Sequence, residues 1–307
     1  MVLTTVIMNL AGTVVPMATP TRNAGQAVDD TALRKFTRGL VEAGVHGLFP
    51  GSSIGEFPSL TAAQNQQVVE TVAEVADEST SVLAGCCDTS VGAVLEKVST
   101  AEEAGADAAV VVSPYYLTTT QSGLERFFTT IADQSALPLL LYNIPPLTGN
   151  EIGIGLVQRL ADHHNIIGLK DTSGDLNYHY RVVSETPDEF LVFQGATELA
   201  TASLGVGTDG LIAGPANVFP QVMADLYEAY DRGDLTEAQH LMQTVVTPFV
   251  GATSDVPTAA ALKHLVKVDG LDIGSPLPPL PQLTDEERAT LTTAYRRITD
   301  QFDKQTL

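Results

Sequence analysis

Short apolar runs recur along the chain, and small or polar residues close most of them. They are Val14-Val15-Pro16-Met17-Ala18-Thr19-Pro20, His46-Gly47-Leu48-Phe49-Pro50, Ser81-Val82-Leu83-Ala84-Gly85 and Ala108-Ala109-Val110-Val111-Val112. The series continues with Pro138-Leu139-Leu140-Leu141-Tyr142-Asn143-Ile144-Pro145, Ile166-Ile167-Gly168-Leu169-Lys170-Asp171-Thr172, Phe190-Leu191-Val192-Phe193-Gln194-Gly195 and Gly210-Leu211-Ile212-Ala213-Gly214. Runs this short and without alternation read as strands buried on both faces, as in a parallel sheet. Between them lie helical patterns over 31–43, from Thr61 onward, and over 91–104, 122–135, 153–161 and 198–204. Asp29-Asp30 supplies the N-terminal cap of the first and Gly44 its stop. Strand and helix alternate with such regular length that a closed α/β barrel, the (β/α)₈ or TIM barrel, is expected over 1–218 rather than an open sheet.

From Phe219 the pattern turns to helix after helix, over 221–232, 235–246 and 257–268, the second stopping before Pro248. An extended Pro276-Leu277-Pro278-Pro279-Leu280-Pro281 follows. Thr284-Asp285-Glu286-Glu287 is a capping box that opens a last helix to about Phe302. Residues 219–307 are thus expected to form a C-terminal helical extension.

In such a barrel the polar segments that follow the strands gather at one mouth, where active sites sit. Lys170 ends one apolar run there and Tyr142 another. A lysine at such a strand end is partly desolvated, which favours the neutral amine that can attack a carbonyl. Alone, the run reads rather as a lysine that carries its head out into solvent. A second and third group change that balance. Tyr142 and Tyr116 end neighbouring strands, and a phenol beside a Schiff base can shuttle a proton. The loop Gly51-Ser52-Ser53-Ile54-Gly55-Glu56 offers backbone N–H groups and hydroxyls suited to a carboxylate.

Composition narrows the classes. Lys and Arg number 16 against 37 Asp and Glu, a formal net charge of -21. Such a surface repels phosphate backbones, which excludes nucleic acid as a partner. It also resembles the surfaces of proteins from high-salt cytoplasms, and poor stability at low salt is expected. No apolar run reaches the roughly 18 residues of a membrane span, and the first 20 residues lack a basic region of the kind that opens a signal peptide. A cytoplasmic protein without a membrane partner is expected. Cys86 and Cys87 are adjacent and read as small buried thiols. No metal site is expected, and His163-His164 reads as polar loop. Gly205-Val206-Gly207-Thr208-Asp209-Gly210 matches a dinucleotide-binding pattern by letter, but it follows a helix and precedes a strand, the reverse of what that motif needs.

At these residues the chain resembles the dihydrodipicolinate synthase / N-acetylneuraminate lyase family of class I, lysine-dependent aldolases, over nearly its whole length. The resemblance rests on Ser52-Ser53-Ile54-Gly55-Glu56, Ser113-Pro114-Tyr115-Tyr116, Tyr142-Asn143-Ile144-Pro145 and Gly168-Leu169-Lys170-Asp171. It implies that Lys170 forms the Schiff base and that Tyr142 shuttles protons. Ser53 and the Ile54 N–H would hold a pyruvate carboxylate, with the Ile212 carbonyl flanking the pyruvate. Asn143, Ile144, Asp171 and Thr172, beside the two central residues, are expected substrate contacts. Tyr116 would stand at a position that a neighbouring subunit contributes, which implies a homotetramer, a dimer of dimers. No metal or organic cofactor is implied.

The chain departs from the family pattern twice. Ile54 stands where most members carry a second hydroxyl residue, which leaves a three-hydroxyl proton relay through Tyr142 open to question while backbone binding of the carboxylate survives. Leu147 stands where dihydrodipicolinate synthases carry an arginine, and it cannot pair with a second carboxylate. With Asp171-Thr172 and Ala213-Gly214, this looks more like archaeal 2-keto-3-deoxygluconate aldolases. The expected reaction is reversible cleavage of that sugar acid, or its 6-phosphate, to pyruvate and glyceraldehyde or its phosphate. The rivals are a sugar acid dehydratase, dihydrodipicolinate synthase or sialate lyase on the same Schiff base, and from another class a non-catalytic pyruvate-binding protein.

Overall fold

The structure, a computed structural model, describes residues 10–306. Residues 1–9 and Leu307, the outer ends of the two expected units, lie outside the described residues. The strands in chain order are β1 (Gly12–Pro16), β2 (Thr21–Arg22), β3 (Ala27–Val28), β4 (Gly47–Phe49), β5 (Ser81–Gly85), β6 (Ala108–Val112), β7 (Leu139–Asn143), β8 (Ile166–Asp171), β9 (Leu191–Gln194) and β10 (Gly210–Ile212). Strands β2 and β3 form a small antiparallel hairpin. The other eight close a parallel barrel in the order β1-β10-β9-β8-β7-β6-β5-β4, as the regular alternation requires.

The barrel explains why its strands read as unbroken apolar runs. Val14, Phe49, Leu83, Val110, Leu140, Tyr142, Phe193 and Ile212 point inward and pack together. Their neighbours Val15, Leu48, Val82, Ala109, Leu141, Leu169, Val192 and Leu211 point outward into a second core beneath the helices. Successive residues face opposite ways, and here both faces are buried.

The helices are α1 (Asp30–Glu42), α2 (Ala62–Val75), α3 (Val91–Glu103), α4 (Gln121–Gln134), α5 (Pro145–Thr148), α6 (Ile154–Ala161), α7 (Leu176–Glu185), α8 (Ala200–Leu204), α9 (Pro220–Asp231), α10 (Leu235–Leu241), α11 (Thr247–Thr253), α12 (Thr258–Val268) and α13 (Asp285–Thr306). Their starts follow capping chemistry. The Asp29 carboxylate accepts from Ala32 N–H, Thr61 and Gln64 form a reciprocal capping box, and Ser90 and Thr120 cap α3 and α4. Thr284 and Glu287 exchange the hydrogen bonds that the sequence promised at α13. No helix among the described residues is long and apolar enough to cross a membrane.

Three features differ from the sequence reading. Helix α7 has no counterpart in it; the helix is short, and its buried face carries Tyr178 and His179 beside Val182 rather than a run of aliphatic residues. Second, α9 packs against β1, where Thr13 Oγ1 donates to Met223 O at 2.8 Å. It is the eighth outer helix, and the barrel therefore runs past the boundary expected at residue 218. Third, the helix expected to stop before Pro248 continues through it. A π turn at Met242–Val246, closed by Thr247 N–H on Met242 O, comes first. Pro248 then falls in the first turn of α11, where its missing N–H costs least.

Candidate active site

Strands β7 and β8 pair with Tyr142 opposite Lys170, so both side chains enter the barrel from adjacent strands. Lys170 is 4% exposed and Tyr142 2%. Lys170 Nζ lies 4.0 Å from the Tyr142 ring centroid and 5.2 Å from that of Phe49. The Phe49 and Tyr142 rings meet edge to face at 6.4 Å. Two aromatic faces thus hold the amine without any carboxylate among its described contacts. Gly195 makes this possible: a Cβ there would lie 2.1 Å from Thr172 Oγ1 and 2.9 Å from Lys170 Cε. The same spacing puts the Thr172 hydroxyl beside the lysine stem. That hydroxyl is buried and has no hydrogen-bond partner among the described residues, so it can serve a ligand.

Lys170 and Tyr142 stand in the wall of a cavity of about 690 Å³. Ser53, Ile54, Ile144, Thr172 and Ile212 line it with them, as does Leu147 at the rim. Lys170 and Glu198 are the only charged side chains among the described lining residues, and Ser52, Ser173, Thr197, Thr253, Ser254 and Thr258 add hydroxyls. Part of this wall comes from α11 and the start of α12, through Phe249, Val250, Pro257 and Thr258. The C-terminal helices therefore shape the cavity rather than merely hang beside the barrel.

Three expected site residues are not brought to the cavity. Asn143 and Asp171 follow Tyr142 and Lys170 directly, so they face the other way. Asn143 Nδ2 donates to Asp171 Oδ1 at 3.2 Å, and Ile152 N–H donates to Asn143 Oδ1 at 3.1 Å. Ser173 gives Asp171 two more hydrogen bonds, at 2.9 and 3.1 Å. His179 Nδ1 lies 3.2 Å from Asp171 Oδ2, and its Nε2 lies 2.6 Å from Thr208 Oγ1. Because a carboxylate offers only acceptors, Nδ1 is the donor. With their polar atoms so occupied, Asn143 and Asp171 brace the tips of β7 and β8 from behind. His179 was missed in the sequence because α7 itself was, and Thr208 because it stands in the glycine-rich segment that only mimics a dinucleotide motif. The Asp175 cap, whose carboxylate accepts from Asn177 and Tyr178 N–H, is the local signal that marks its start.

Tyr116 is 93% exposed and held at φ 75°. A bulky residue in the left-handed region is strained, and Asn150 pins the loop by donating to Pro114 O at 2.7 Å and Leu117 O at 3.1 Å. The ring is thus directed away from its own cavity. Cys87, packed inside the barrel, is inert as a nucleophile, because burial pushes its thiol up to about 11.

A closed barrel with a buried lysine beside a tyrosine at its C-terminal mouth has the layout of the class I, Schiff-base lyases. The model of the dihydrodipicolinate synthetase family matches residues 9–298, and the chain belongs to that family. Its members are lyases that act through a lysine Schiff base, so this chain is an enzyme of that class. The 4-hydroxy-tetrahydrodipicolinate synthase of Methanopyrus kandleri is 32% identical over 290 residues, 94% of this chain and 96% of that one. An uncharacterized DapA-like lyase of Halobacterium salinarum is 33% identical over 284 residues, 92% of each chain. Among solved structures, the 4-hydroxy-tetrahydrodipicolinate synthase of Methylacidiphilum fumariolicum SolV superposes with a TM-score of 0.92 at 30% identity, covering 96% of this chain and 97% of that one. YagE, a prophage protein of the dihydrodipicolinic acid synthase family from E. coli K12 solved with pyruvate, gives 0.88 at 30% identity, covering 94% and 98%.

Proposed function

We propose that the chain is an aldolase that reversibly cleaves 2-keto-3-deoxygluconate to pyruvate and glyceraldehyde. Lys170 condenses with the C2 ketone, losing water and forming an iminium. Tyr142 takes the proton of the C4 hydroxyl. The C3–C4 bond breaks, its electron pair enters the iminium, and the aldehyde leaves. Protonation of the resulting enamine and addition of water release pyruvate and restore the amine. Ser53 and the Ile54 N–H hold the keto acid carboxylate in this scheme, and Ile144, Thr172 and Ile212 border the reacting carbons.

The observation that carries the substrate choice is the charge of the cavity lining. A polyhydroxylated, uncharged tail matches hydroxyl side chains and Glu198. A phosphate or a second carboxylate would meet Glu198 and find no described cation other than Lys170. Leu147, at the rim and 67% exposed, presents an apolar branch to the same space. The second reading, condensation of pyruvate with aspartate semialdehyde, is favoured by the names of the relatives, most of them 4-hydroxy-tetrahydrodipicolinate synthases. A substrate panel separates the two. Pyruvate release from 2-keto-3-deoxygluconate, faster than from its 6-phosphate, is expected, with little consumption of aspartate semialdehyde. The opposite order overturns the assignment, and loss of sugar acid without pyruvate release identifies a dehydratase instead.

The exposed, strained Tyr116 supports an assembly in which a second copy covers that ring, within a homotetramer. The net charge of -21 supports a protein adapted to high salt, where screening relieves self-repulsion. The expected result is a melting temperature that climbs with KCl into the molar range. A melting temperature indifferent to KCl removes that adaptation from the picture.

A further inference from the structure

One buried ion pair lies outside the reaction scheme. Glu56 ends the loop that carries Ser53 and Ile54, and Lys263 sits on α12, one residue beyond Leu262 of the cavity wall. Glu56 Oε1 is 2.8 Å from Lys263 Nζ, and both side chains are 1% exposed. Glu56 Oε2 accepts from Leu277 N–H at 2.5 Å, and Lys263 Nζ donates to Ser275 O at 3.1 Å. Glu56 is also held in the left-handed region, at φ 58°, where glycine or asparagine would sit more easily.

The geometry points to Glu56 and Lys263 as positioning residues for the keto acid carboxylate. This inference rests on the assignment of that carboxylate to the Ser53–Ile54 loop. The loop is clamped at both ends. At its start, Ser52 Oγ accepts from Gly55 N–H at 3.0 Å and reaches Met17 O at 3.4 Å. At its end, the Glu56 carboxylate is tied to α12 and to the extended segment behind it. Leu277 in turn fills the space over Gly25, where a Cβ would lie 2.3 Å from its Cδ2, so the segment cannot slide. Burial favours the neutral form of Lys263 while Glu56 favours the charged one, as expected of two groups that depend on each other. The helix that walls the cavity and the loop assigned to the carboxylate are thereby tied to each other.

The test is borohydride trapping in molar KCl of the wild type, Glu56→Gln and the double variant Glu56→Gln/Lys263→Met. Two probes are used: pyruvate, and acetone, which has the ketone without the carboxylate. Glu56→Gln is expected to need roughly tenfold more pyruvate for half-maximal labelling, at unchanged final extent. Its labelling by acetone should match the wild type. Unchanged pyruvate dependence overturns the inference, and so does a parallel loss with both probes, which marks general deformation of the site. Where circular dichroism shows Glu56→Gln unfolded, the double variant carries the same test, since it leaves no unpaired buried charge. A wild type that pyruvate never labels removes the Schiff-base reading itself, and this inference with it.

Discussion

Lys170→Met is expected to lose turnover by roughly 10⁴-fold or more, equivalent to about 5.5 kcal/mol of transition-state stabilisation. Methionine has nearly the volume and flexibility of the lysine stem and fills the same space between Phe49 and Tyr142. It also removes a buried amine that is 4% exposed, so the fold should hold or gain stability. What disappears is the nitrogen that becomes the iminium. Lys170→Arg keeps a long nitrogen-bearing side chain but is expected to fail equally, because a guanidinium does not form the imine. Activity within tenfold of wild type in either variant, measured as pyruvate release with folding checked by circular dichroism, would mean that the amine does no chemistry.

Tyr142→Phe should lower kcat by roughly 10²–10⁴-fold, the range of a positioned proton-transfer group. Phenylalanine keeps the ring over Lys170 Nζ, centred 4.0 Å away, and the edge contact with Phe49 at 6.4 Å. Only the hydroxyl goes. Imine formation with pyruvate is therefore expected to reach the same extent more slowly, while bond cleavage stalls. Equal loss of trapping and cleavage would instead make Tyr142 a wall of the site rather than a proton carrier. Ile54 offers no hydroxyl to relay that proton, and the Thr172 hydroxyl, without a hydrogen-bond partner among the described residues, lies on the lysine side. The proton path of this chain is accordingly expected to run through Tyr142 and the substrate's own carboxylate.

The barrel was legible because its strands are apolar on both faces, which leaves short unbroken runs with polar closures. Lys170 and Tyr142 were legible for the same reason, as polar residues ending such runs. Asn143 and Asp171 show where reading by proximity misleads. Each follows an inward residue on a strand, and parity alone sends it outward, into the network with His179. Helix α7 hid because it is short and carries a buried histidine and tyrosine in place of an aliphatic run, their polar atoms satisfied by Asp171, Thr208 and Ile152 O. The continuation through Pro248 depended on a π turn that no local residue preference announces. The clamp from Glu56 to Lys263 and Leu277 spans most of the chain, and only the closed fold brings those residues together.

The most direct measurement is borohydride reduction of the wild-type protein with pyruvate in molar KCl, followed by intact mass and peptide mapping. A single reduced pyruvyl adduct on Lys170 is expected, and none on Lys263, whose amine is held by Glu56. An adduct on another lysine, or no adduct on folded protein, would contradict the Schiff-base assignment to Lys170.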